Sequence, residues 1–337
     1  MKVAVWHGGK DIRIEQAPTP SIEEDGALVR VRVCGLCGSD LHAYQGLSDR
    51  RVPPLVMGHE FAGDIEEIGG EVKSLEIGDR VVVDPLVVCG ECNRCVRGSQ
   101  NVCRDRKLIG LTMQGALAEY VAVPSNRCFP LPDDVSYEEG AMVEPTAVGV
   151  HAAERASISP NDTLAIVGTG VIGLLTLQAA KLRGPSRILA IDLSNERLGL
   201  ARRFGADGAI NPREGDPVQG VMELTNRAGA DCVVEAVGIQ QTMRQAMKMA
   251  SDQGRVVVVG MLQKSMELEA LEITVRELSL MGAYAYTDQA FKTAITLISE
   301  GKINVTPLIT RILPLDSVKE GFEALDKQEA IKVVLRT

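Results

Sequence analysis

The first 145 residues carry short apolar runs that Gly and Pro interrupt at close intervals. Residues 29–33 read Val-Arg-Val-Arg-Val, an alternation that is typical of a half-buried strand. Residues 63–69 and 79–83 are looser candidates for strands. The region is therefore predicted to be irregular β structure punctuated by turns.

The pattern changes near residue 146, where apolar strands begin to alternate with helical segments. Short continuous apolar strands that alternate with helices predict a parallel sheet covered on both faces, which is an α/β fold. The predicted strands cover 164–167, 188–192, 232–235 and 256–259. Three helices are predicted: one follows the first strand and ends at Leu182, and the others cover about 195–204 and 239–251.

The last segment begins near residue 287, continues as a helix over about 290–300 and ends with an apolar strand at 331–335. We expect this tail to return to the first domain. The predicted organisation is thus a discontinuous domain of residues 1–145 plus 287–337 and a second domain of residues 146–286.

Composition restricts the partners of the chain. Its 337 residues carry a formal net charge of −9, and no run of Lys or Arg forms a basic tract, which argues against nucleic acid as a ligand. The amino terminus lacks the pattern of a signal peptide, and no apolar run reaches the ~20 residues needed to cross a bilayer. We therefore expect a cytoplasmic protein without a membrane partner, in which thiols stay reduced.

Four cysteines lie close together on a loop of about residues 85–110. Four thiolates can close around one tetrahedral Zn²⁺ and leave no position for a substrate, so this spacing predicts a structural zinc site. The alternatives are disulfides or unconnected buried thiols. The four residues are Cys89, Cys92, Cys95 and Cys103.

A glycine fingerprint follows the strand at 164–167 and opens a helix. In this context Gly-x-Gly-x-x-Gly predicts a dinucleotide site, in which the glycines allow a tight turn, close approach of the pyrophosphate and close helix packing. Asp192 ends the next strand and can accept hydrogen bonds from the adenosine ribose, which favours NAD over NADP, whereas Arg197 could contact the adenine edge or support NADP. The cofactor site is assigned to Gly168, Gly170, Val171, Ile172, Gly173, Asp192, Arg197, Val237 and Gly260.

A second set of metal-ligand residue types is Cys37, His59, Glu60 and Glu144. Thiolate, imidazole and carboxylate are all donors that zinc uses. Three protein ligands would leave a fourth position for water or substrate, so this set predicts an open, catalytic zinc.

The motifs together resemble those of the zinc-dependent medium-chain alcohol dehydrogenases, and most of all the sorbitol, polyol and butanediol dehydrogenase branch. They are Cys-Gly-Ser-Asp-x-His at 37–42, Gly-His-Glu at 58–60, the four cysteines, Glu-Pro at 144–145 and the glycine fingerprint. The resemblance covers essentially the whole chain. It implies a GroES-like β-rich catalytic domain, a Rossmann domain with a doubly wound parallel sheet, and a homo-oligomer, dimer or tetramer.

The resemblance also implies roles for the open set. Cys37 and His59 would bind zinc, and Glu60 would be a ligand or a nearby carboxylate that exchanges with water. Glu144 takes the position of the third protein ligand, which is a cysteine in the simple alcohol dehydrogenases, and it would bind directly or through water. The implied reaction is reversible oxidation of a secondary alcohol by hydride transfer to NAD.

The same resemblance implies a proton relay from the alcohol through Ser39 and the nicotinamide ribose to His42 and solvent. Histidine titrates near neutral pH, which suits this role. The alternatives are that Ser39 is a turn hydroxyl and that His42 is a solvated side chain.

The substrate is predicted less narrowly. Tyr284 matches the tyrosine of an Arg-Tyr pair that holds polyol hydroxyls in sorbitol dehydrogenases, but Ala283 replaces the arginine. Tyr44 is a second candidate for the substrate pocket. Dehydrogenases of 2,3-butanediol and acetoin, or of L-threonine, are alternatives, and threonine is weaker because its enzymes usually carry Asp-Pro at 144–145.

Three other readings stay open. They are a reductase of ketones, a zinc-ribbon interaction protein using the loop with Arg94 and Arg97, and a nucleotide-bound scaffold without catalysis. Five further residues are predicted to be structural rather than ligands: Cys34, Cys128, Cys232, His7 and His151.

Overall fold

The computed structural model describes all residues from 1 to 337. The chain forms two compact units, the first made of Met1–Glu144 with Phe291–Thr337 and the second of Pro145–Ala290. No helix is both long enough and apolar enough to cross a membrane.

The strands, numbered in chain order, fall into four sheets. Three of these belong to the first unit, and one belongs to the second. The strands are β1 (Lys2–Gly8), β2 (Asp11–Gln16), β3 (Gly26–Gly35), β4 (Leu55–Val56), β5 (Glu60–Ile68), β6 (Arg80–Val83), β7 (Leu86–Val87), β8 (Lys107–Leu108), β9 (Tyr120–Pro124), β10 (Cys128–Pro130), β11 (Thr163–Val167), β12 (Arg187–Ile191), β13 (Gly208–Ile210), β14 (Ala230–Glu235), β15 (Ala250–Val258), β16 (Ser279–Gly282), β17 (Ile309–Pro314) and β18 (Lys332–Arg336).

The helices vary from one turn to three and a half turns. Four short 3₁₀ turns accompany them at Gln100–Val102, Ser125–Arg127, Thr306–Leu308 and Leu315–Ser317. The α-helices are α1 (Gly38–Tyr44), α2 (Asn93–Val96), α3 (Tyr137–Gly140), α4 (Val143–Arg155), α5 (Val171–Lys181), α6 (Asn195–Phe204), α7 (Pro217–Leu224), α8 (Gln240–Met249), α9 (Ala270–Val275), α10 (Asp288–Ser299) and α11 (Val318–Asp326).

The central strand of the first unit is β3, which contains the predicted alternating segment at 29–33. It pairs antiparallel with β5, with β9 and with β18, the last strand of the chain. The seven-stranded sheet runs β10-β6-β5-β3-β18-β17, with β9 beside β3. This pairing matters for the site because it brings Val334 of β18 opposite Gly35 and Glu60 of β5 opposite the same glycine.

The second unit confirms the predicted parallel sheet. Its six strands run β13-β12-β11-β14-β15-β16, and every neighbouring pair is parallel. The strand order reverses between β11 and β14, at the point where parallel α/β sheets bind ligands. The fingerprint turn follows β11 and so lies at this position.

Candidate active site

The amino-terminal end of the short helix α1 holds Cys37, Ser39 and Asp40 close together. Cys37 is its N-cap residue and has extended backbone angles, and its Sγ accepts a hydrogen bond from the Ser39 amide at 3.4 Å. The Asp40 carboxylate accepts one from the Cys37 amide at 3.3 Å, which completes a capping box. The Ser39 hydroxyl also lies 3.4 Å from Cys37 Sγ. Local helix capping therefore fixes the thiol and the hydroxyl side by side.

His59 and Glu60 stand at the start of β5 and meet Cys37. One donor atom of each residue lies within 4.8 Å of the other two. His59 is 4% exposed and Glu60 is 2% exposed. A thiol, an imidazole and a carboxylate so close together in a buried place suit one zinc ion by donor type and spacing. This is the set that the sequence predicted, apart from Glu144.

Asp40 faces the second ring nitrogen of His59. Asp40 Oδ1 lies 3.4 Å from His59 Nδ1, an ion-pair distance, although Nδ1 makes no hydrogen bond of ordinary geometry. Burial lowers the pKa of His59, but Asp40 and Cys37 outweigh burial and raise it well above its usual value. Asp40 thus favours the protonated ring in the absence of metal, and a bound metal would replace that proton.

A buried lysine holds Glu60. Lys332 Nζ of β18 donates to Glu60 Oε2 and, at 3.2 Å, to the Leu36 carbonyl. Burial lowers the pKa of Lys332, but the charges of Glu60 and Cys37 outweigh burial and leave the pKa above its usual value, so the ammonium stays charged. Gly35 makes room for this pair, since a Cβ there would lie 2.5 Å from Glu60 Oε2. The sequence analysis missed Lys332, although a lone charge in an apolar strand is a signal of a buried partner.

Glu144 lies in the first turn of α4 and is 8% exposed. Burial raises its pKa to about 7, with His59 opposing the shift and Glu60 adding to it. Its carboxylate is not part of the set whose atoms lie within 4.8 Å of one another. The structure therefore places Glu144 within electrostatic range of the open set but outside its closest group.

His42 and Tyr44 follow on α1 and have different surroundings. His42 is half-buried, and burial and the charge of Arg51 lower its pKa. Tyr44 is 1% exposed and stacks on Phe322 of α11 with ring centroids 4.7 Å apart. The expectation that Tyr44 lines a substrate pocket is wrong, because its ring is part of the hydrophobic core. Tyr284 remains partly buried, next to Ala283 and the positive-φ residue Ala285.

The four-cysteine lobe brings its sulfurs into a compact group. The Sγ–Sγ distances are 3.5 Å for Cys89–Cys103 and Cys92–Cys95 and 3.9 Å for Cys89–Cys95 and Cys92–Cys103. A tetrahedron with Zn–S bonds of about 2.3 Å requires sulfurs about 3.8 Å apart, whereas a disulfide requires about 2.0 Å. The residues therefore fit a closed zinc site and are not paired as disulfides.

Hydrogen bonds and burial set the thiols of the lobe apart. A hydrogen bond from the Cys95 amide lowers the pKa of Cys92 to about 7, while burial raises that of Cys95 to about 12. Outside the lobe, Cys34, Cys128 and Cys232 are free and buried, as predicted, and burial raises the pKa of each. Of the remaining histidines, His7 pairs with Glu15 and His151 lies near Glu154.

The fingerprint glycines have different structural roles. Gly168 has φ +92°, a left-handed conformation that favours glycine, and a Cβ on Gly173 would lie 1.8 Å from the Gly168 carbonyl oxygen. A Cβ on Gly170 would meet nothing within 4 Å, so this glycine leaves open space at the amino terminus of α5, where Val171 and Ile172 begin the helix. A phosphate can approach the backbone there.

The other predicted cofactor residues line the same edge of the sheet. The Asp192 carboxylate accepts hydrogen bonds from the Thr169 amide at 2.7 Å and the Ser194 amide at 2.9 Å. Val237 approaches Gly168, and Gly260 packs against Gly238. Arg197 lies partly buried on α6, beyond Asp192. Asp192 and Val237 therefore lie next to the fingerprint turn, and Gly260 lies next to Val237.

Comparison with known proteins agrees with both units. The family model of the alcohol dehydrogenase GroES-like domain matches residues 23–133, and that of the zinc-binding dehydrogenases matches residues 171–300. L-idonate 5-dehydrogenase of Vitis vinifera is 37% identical over 98% of this chain and 94% of its own length, and sorbitol dehydrogenase of Bacillus subtilis is 35% identical over 99% and 97%.

A solved structure extends the likeness to three dimensions. A protein described as a zinc-binding dehydrogenase from Sinorhizobium meliloti 1021, bound to NADP, superposes with a TM-score of 0.93 at 31% identity, over 100% of this chain and 99% of that one. These findings confirm the predicted fold class, the predicted type of enzyme, and zinc and a nicotinamide dinucleotide as its cofactors.

Proposed function

The chain belongs to the zinc-dependent medium-chain alcohol dehydrogenases, in their sorbitol, polyol and butanediol dehydrogenase branch, and we propose that it oxidises a polyol or another secondary alcohol at the set formed by Cys37, His59 and Glu60. The observation that carries the proposal is the meeting of these three unlike donors within 4.8 Å in a buried place. Zinc held there supplies a Lewis acid that makes the hydroxyl of the alcohol more acidic.

The residues in and around this set have different roles in the proposed reaction. Cys37 and His59 bind the metal, and Asp40 orients the imidazole of His59. Glu60, held by Lys332, and the buried Glu144 balance the charge of the site or add a ligand. The Ser39 hydroxyl, 3.4 Å from Cys37 Sγ, takes up the proton of the alcohol, and His42 returns a proton to solvent.

We propose NAD rather than NADP as the hydride acceptor. Two backbone amides fix the Asp192 carboxylate at the end of β12, and its remaining lone pairs can accept hydrogen bonds from the ribose hydroxyls. A 2′-phosphate would meet this negative charge. A solved relative binds NADP, so the preference of this chain has to be measured directly. The measurement is the ratio of kcat/KM for NAD to kcat/KM for NADP.

The fingerprint offers a matched pair of variants for the cofactor site. We expect Gly170→Ala to fold normally but to weaken NAD binding by about tenfold or more, because its methyl group would occupy the approach of the pyrophosphate. Gly173→Ala should instead lower the thermal stability, since its methyl group overlaps the Gly168 carbonyl. Calorimetric titration with NAD and thermal unfolding separate the two effects. Equal NAD affinity in Gly170→Ala and wild type would contradict the proposed site.

A second zinc ion, held by the four-cysteine lobe, is proposed as structural. This gives two zinc ions per chain, a number that metal analysis of the purified protein measures. Four free thiols at contact distance also require a reducing compartment, which supports a cytoplasmic location.

We also propose a homo-oligomer, dimer or tetramer, formed through the nucleotide-binding unit. The segment after Gly260 exposes several large apolar side chains, which is unusual for a surface that meets only water. They are Met261, Leu262, Leu268, Leu271 and Val275. Light scattering of the eluted protein gives its mass, and a monomer at micromolar concentration would contradict this proposal.

The test of the function is a panel of alcohols with zinc-loaded protein. NADH formation would be followed with sorbitol, xylitol, galactitol, 2,3-butanediol, threonine and simple secondary alcohols, with and without a chelator, and ketone reduction would be followed in reverse. We expect turnover of one class that the chelator abolishes. Turnover that survives complete removal of the catalytic zinc would contradict the proposed site.

A further inference from the structure

We propose that Arg51 is a positioning residue for proton transfer, and that its guanidinium holds the Ser39 hydroxyl in the orientation that the proton path requires. The inference rests on the proposed function, because it assigns Arg51 a part in the alcohol oxidation that involves Ser39. Arg51 lies outside all the motifs of the sequence, in the loop between α1 and β4.

The guanidinium is buried and donates four hydrogen bonds. The side chain of Arg51 is 1% exposed. Its Nη1 donates to the Ser39 carbonyl at 2.9 Å, its Nη2 donates to Ser39 Oγ at 3.2 Å and to Asp40 Oδ1 at 2.6 Å, and its Nε donates to the Gly110 carbonyl at 3.3 Å. Two of these four bonds end on the one residue whose hydroxyl is proposed to move the proton.

These two bonds fix different parts of Ser39. The bond to the carbonyl anchors the backbone, and the bond to Oγ selects one of the three staggered positions of the hydroxyl. Because Arg51 only donates, it fills one lone pair of Oγ and leaves the serine proton to point elsewhere. In the structure this proton is directed at Cys37 Sγ, 3.4 Å away. For proton transfer the hydroxyl would turn this proton onward while its other lone pair accepts the proton of the alcohol.

Asp40 links Arg51 to the metal set. Its Oδ1 lies 2.6 Å from Arg51 Nη2 and 3.4 Å from His59 Nδ1. Arg51 therefore contacts both the hydroxyl of the proposed proton path and the carboxylate that faces the imidazole of His59.

The charge of Arg51 also reaches His42. After burial, Arg51 is the one charged group that lowers the pKa of His42. The charges on the neighbouring elements, Lys10, Glu323 and Asp326, act on Tyr44 instead. The positive charge beside His42 favours the neutral imidazole, which is the form that can receive a proton.

Lysine would supply the charge but not the geometry. An ammonium can pair with Asp40, whereas the planar fork of arginine can reach Asp40, the Ser39 carbonyl and Ser39 Oγ together. Comparison of Arg51→Lys with Arg51→Met therefore separates orientation of Ser39 from the charge that acts on His42. Arg51→Lys also keeps a partner for buried Asp40, so it should fold even if Arg51→Met does not.

The experiment combines these variants with Ser39→Ala. We expect Ser39→Ala to lower kcat by about 100-fold and Arg51→Lys by about tenfold, with both zinc ions retained. In the Ser39→Ala background, Arg51→Lys should lower kcat by no more than about threefold further, because a residue that acts through Ser39 has nothing left to orient. Arg80→Met is the control, since Arg80 also donates to backbone carbonyls of the first unit, those of Pro132 and Val135, but makes no hydrogen bond to a residue of the site.

A second readout does not depend on turnover. The chain has four histidines, so the ring signals of His42 can be assigned by NMR and titrated in the zinc-loaded protein. The pKa of His42 should rise in Arg51→Met and stay near the wild-type value in Arg51→Lys and Arg80→Met.

The outcomes are distinguishable. If wild type turns over no alcohol, the proposed function fails and the inference fails with it. If wild type is active and Ser39→Ala is impaired, three results overturn the inference alone: a wild-type kcat in Arg51→Lys, full additivity of Arg51→Lys with Ser39→Ala, or loss of activity in proportion to loss of the catalytic zinc. The last would assign Arg51 to retention of zinc through Asp40 and His59.

Discussion

The first unit holds two sets of metal-binding residues, and they are built in opposite ways. The closed lobe uses four identical donors from one loop, and its sulfurs already stand 3.5–3.9 Å apart. The open set uses three different donors from α1 and the start of β5. Local spacing alone can build the lobe, whereas the open set needs the tertiary fold.

Their surroundings differ just as much. Cys89 of the lobe is exposed, and the four thiols lie in contact with one another. In the open set His59 and Glu60 are buried, and each has a charged partner: Asp40 faces His59, and Lys332 binds Glu60. A site that saturates its metal needs only its ligands, while a site that must do chemistry also needs groups that set charge and orientation.

The largest expected effect is the loss of turnover when the open set is broken. We expect His59→Ala to lower kcat/KM by about 1,000-fold or more, since it removes one of the proposed zinc ligands. One zinc ion per chain should be lost while the lobe keeps the other. Metal analysis beside the activity assay measures both. Retention of two zinc ions with unchanged kcat/KM would remove His59 from the proposed ligands.

The next effect is on stability, when the lobe is broken. Cys92→Ser should release the structural zinc and lower the free energy of unfolding by roughly 4 kcal/mol, because zinc that binds only the folded lobe stabilises it. Turnover per intact catalytic site should change little at low temperature. Thermal unfolding and metal analysis are the measurements.

Cys128→Ser is the matched control for this prediction, since Cys128 is a buried thiol outside the lobe. It should keep both zinc ions. If Cys92→Ser lost the catalytic zinc instead, or abolished turnover while the protein stayed folded, the division into a structural and a catalytic set would be wrong.

The same contrast explains what the sequence could predict. The four cysteines lie within one loop and the three fingerprint glycines within one turn, so their spacing along the sequence was enough to predict the zinc lobe and the dinucleotide site. Lys332 is 272 residues away from Glu60 along the chain and reaches it only because β18 pairs with β3. Arg51 follows Ser48, Asp49 and Arg50, a polar run typical of a solvated loop. Its burial depends on tertiary packing that no local pattern records.

Tyr44 illustrates the opposite error. Its position two residues after His42 suggested a place in the pocket, but on a helix neighbouring positions face different ways. The ring packs on Phe322 of α11, an element that the sequence analysis did not predict. Residues on the same short helix as the ligands can therefore belong to the core.

The smallest predicted effect is a difference in how the two sets respond to pH when zinc is removed. Burial raises the pKa of Glu144 from 4.5 to about 7, so between these values the folded chain holds a proton that the unfolded chain has lost. Stability should therefore fall as pH rises through this window, by roughly 3 kcal/mol at most. Cys92 has the opposite sign, since its pKa is lowered from 9.0 to about 7, and its contribution is lost as pH falls from 9 to 7.

Urea unfolding of chelator-treated wild type and Glu144→Gln between pH 4.5 and 7 measures the first slope. The difference between the two proteins isolates Glu144 from His59, whose pKa is raised from 6.5 and which therefore acts at higher pH. Zinc should abolish the difference, because a cation in the open set favours the Glu144 carboxylate and lowers its pKa. A slope that is the same in Glu144→Gln and wild type, or one that persists with zinc bound, would mean that this carboxyl does not sense the open set.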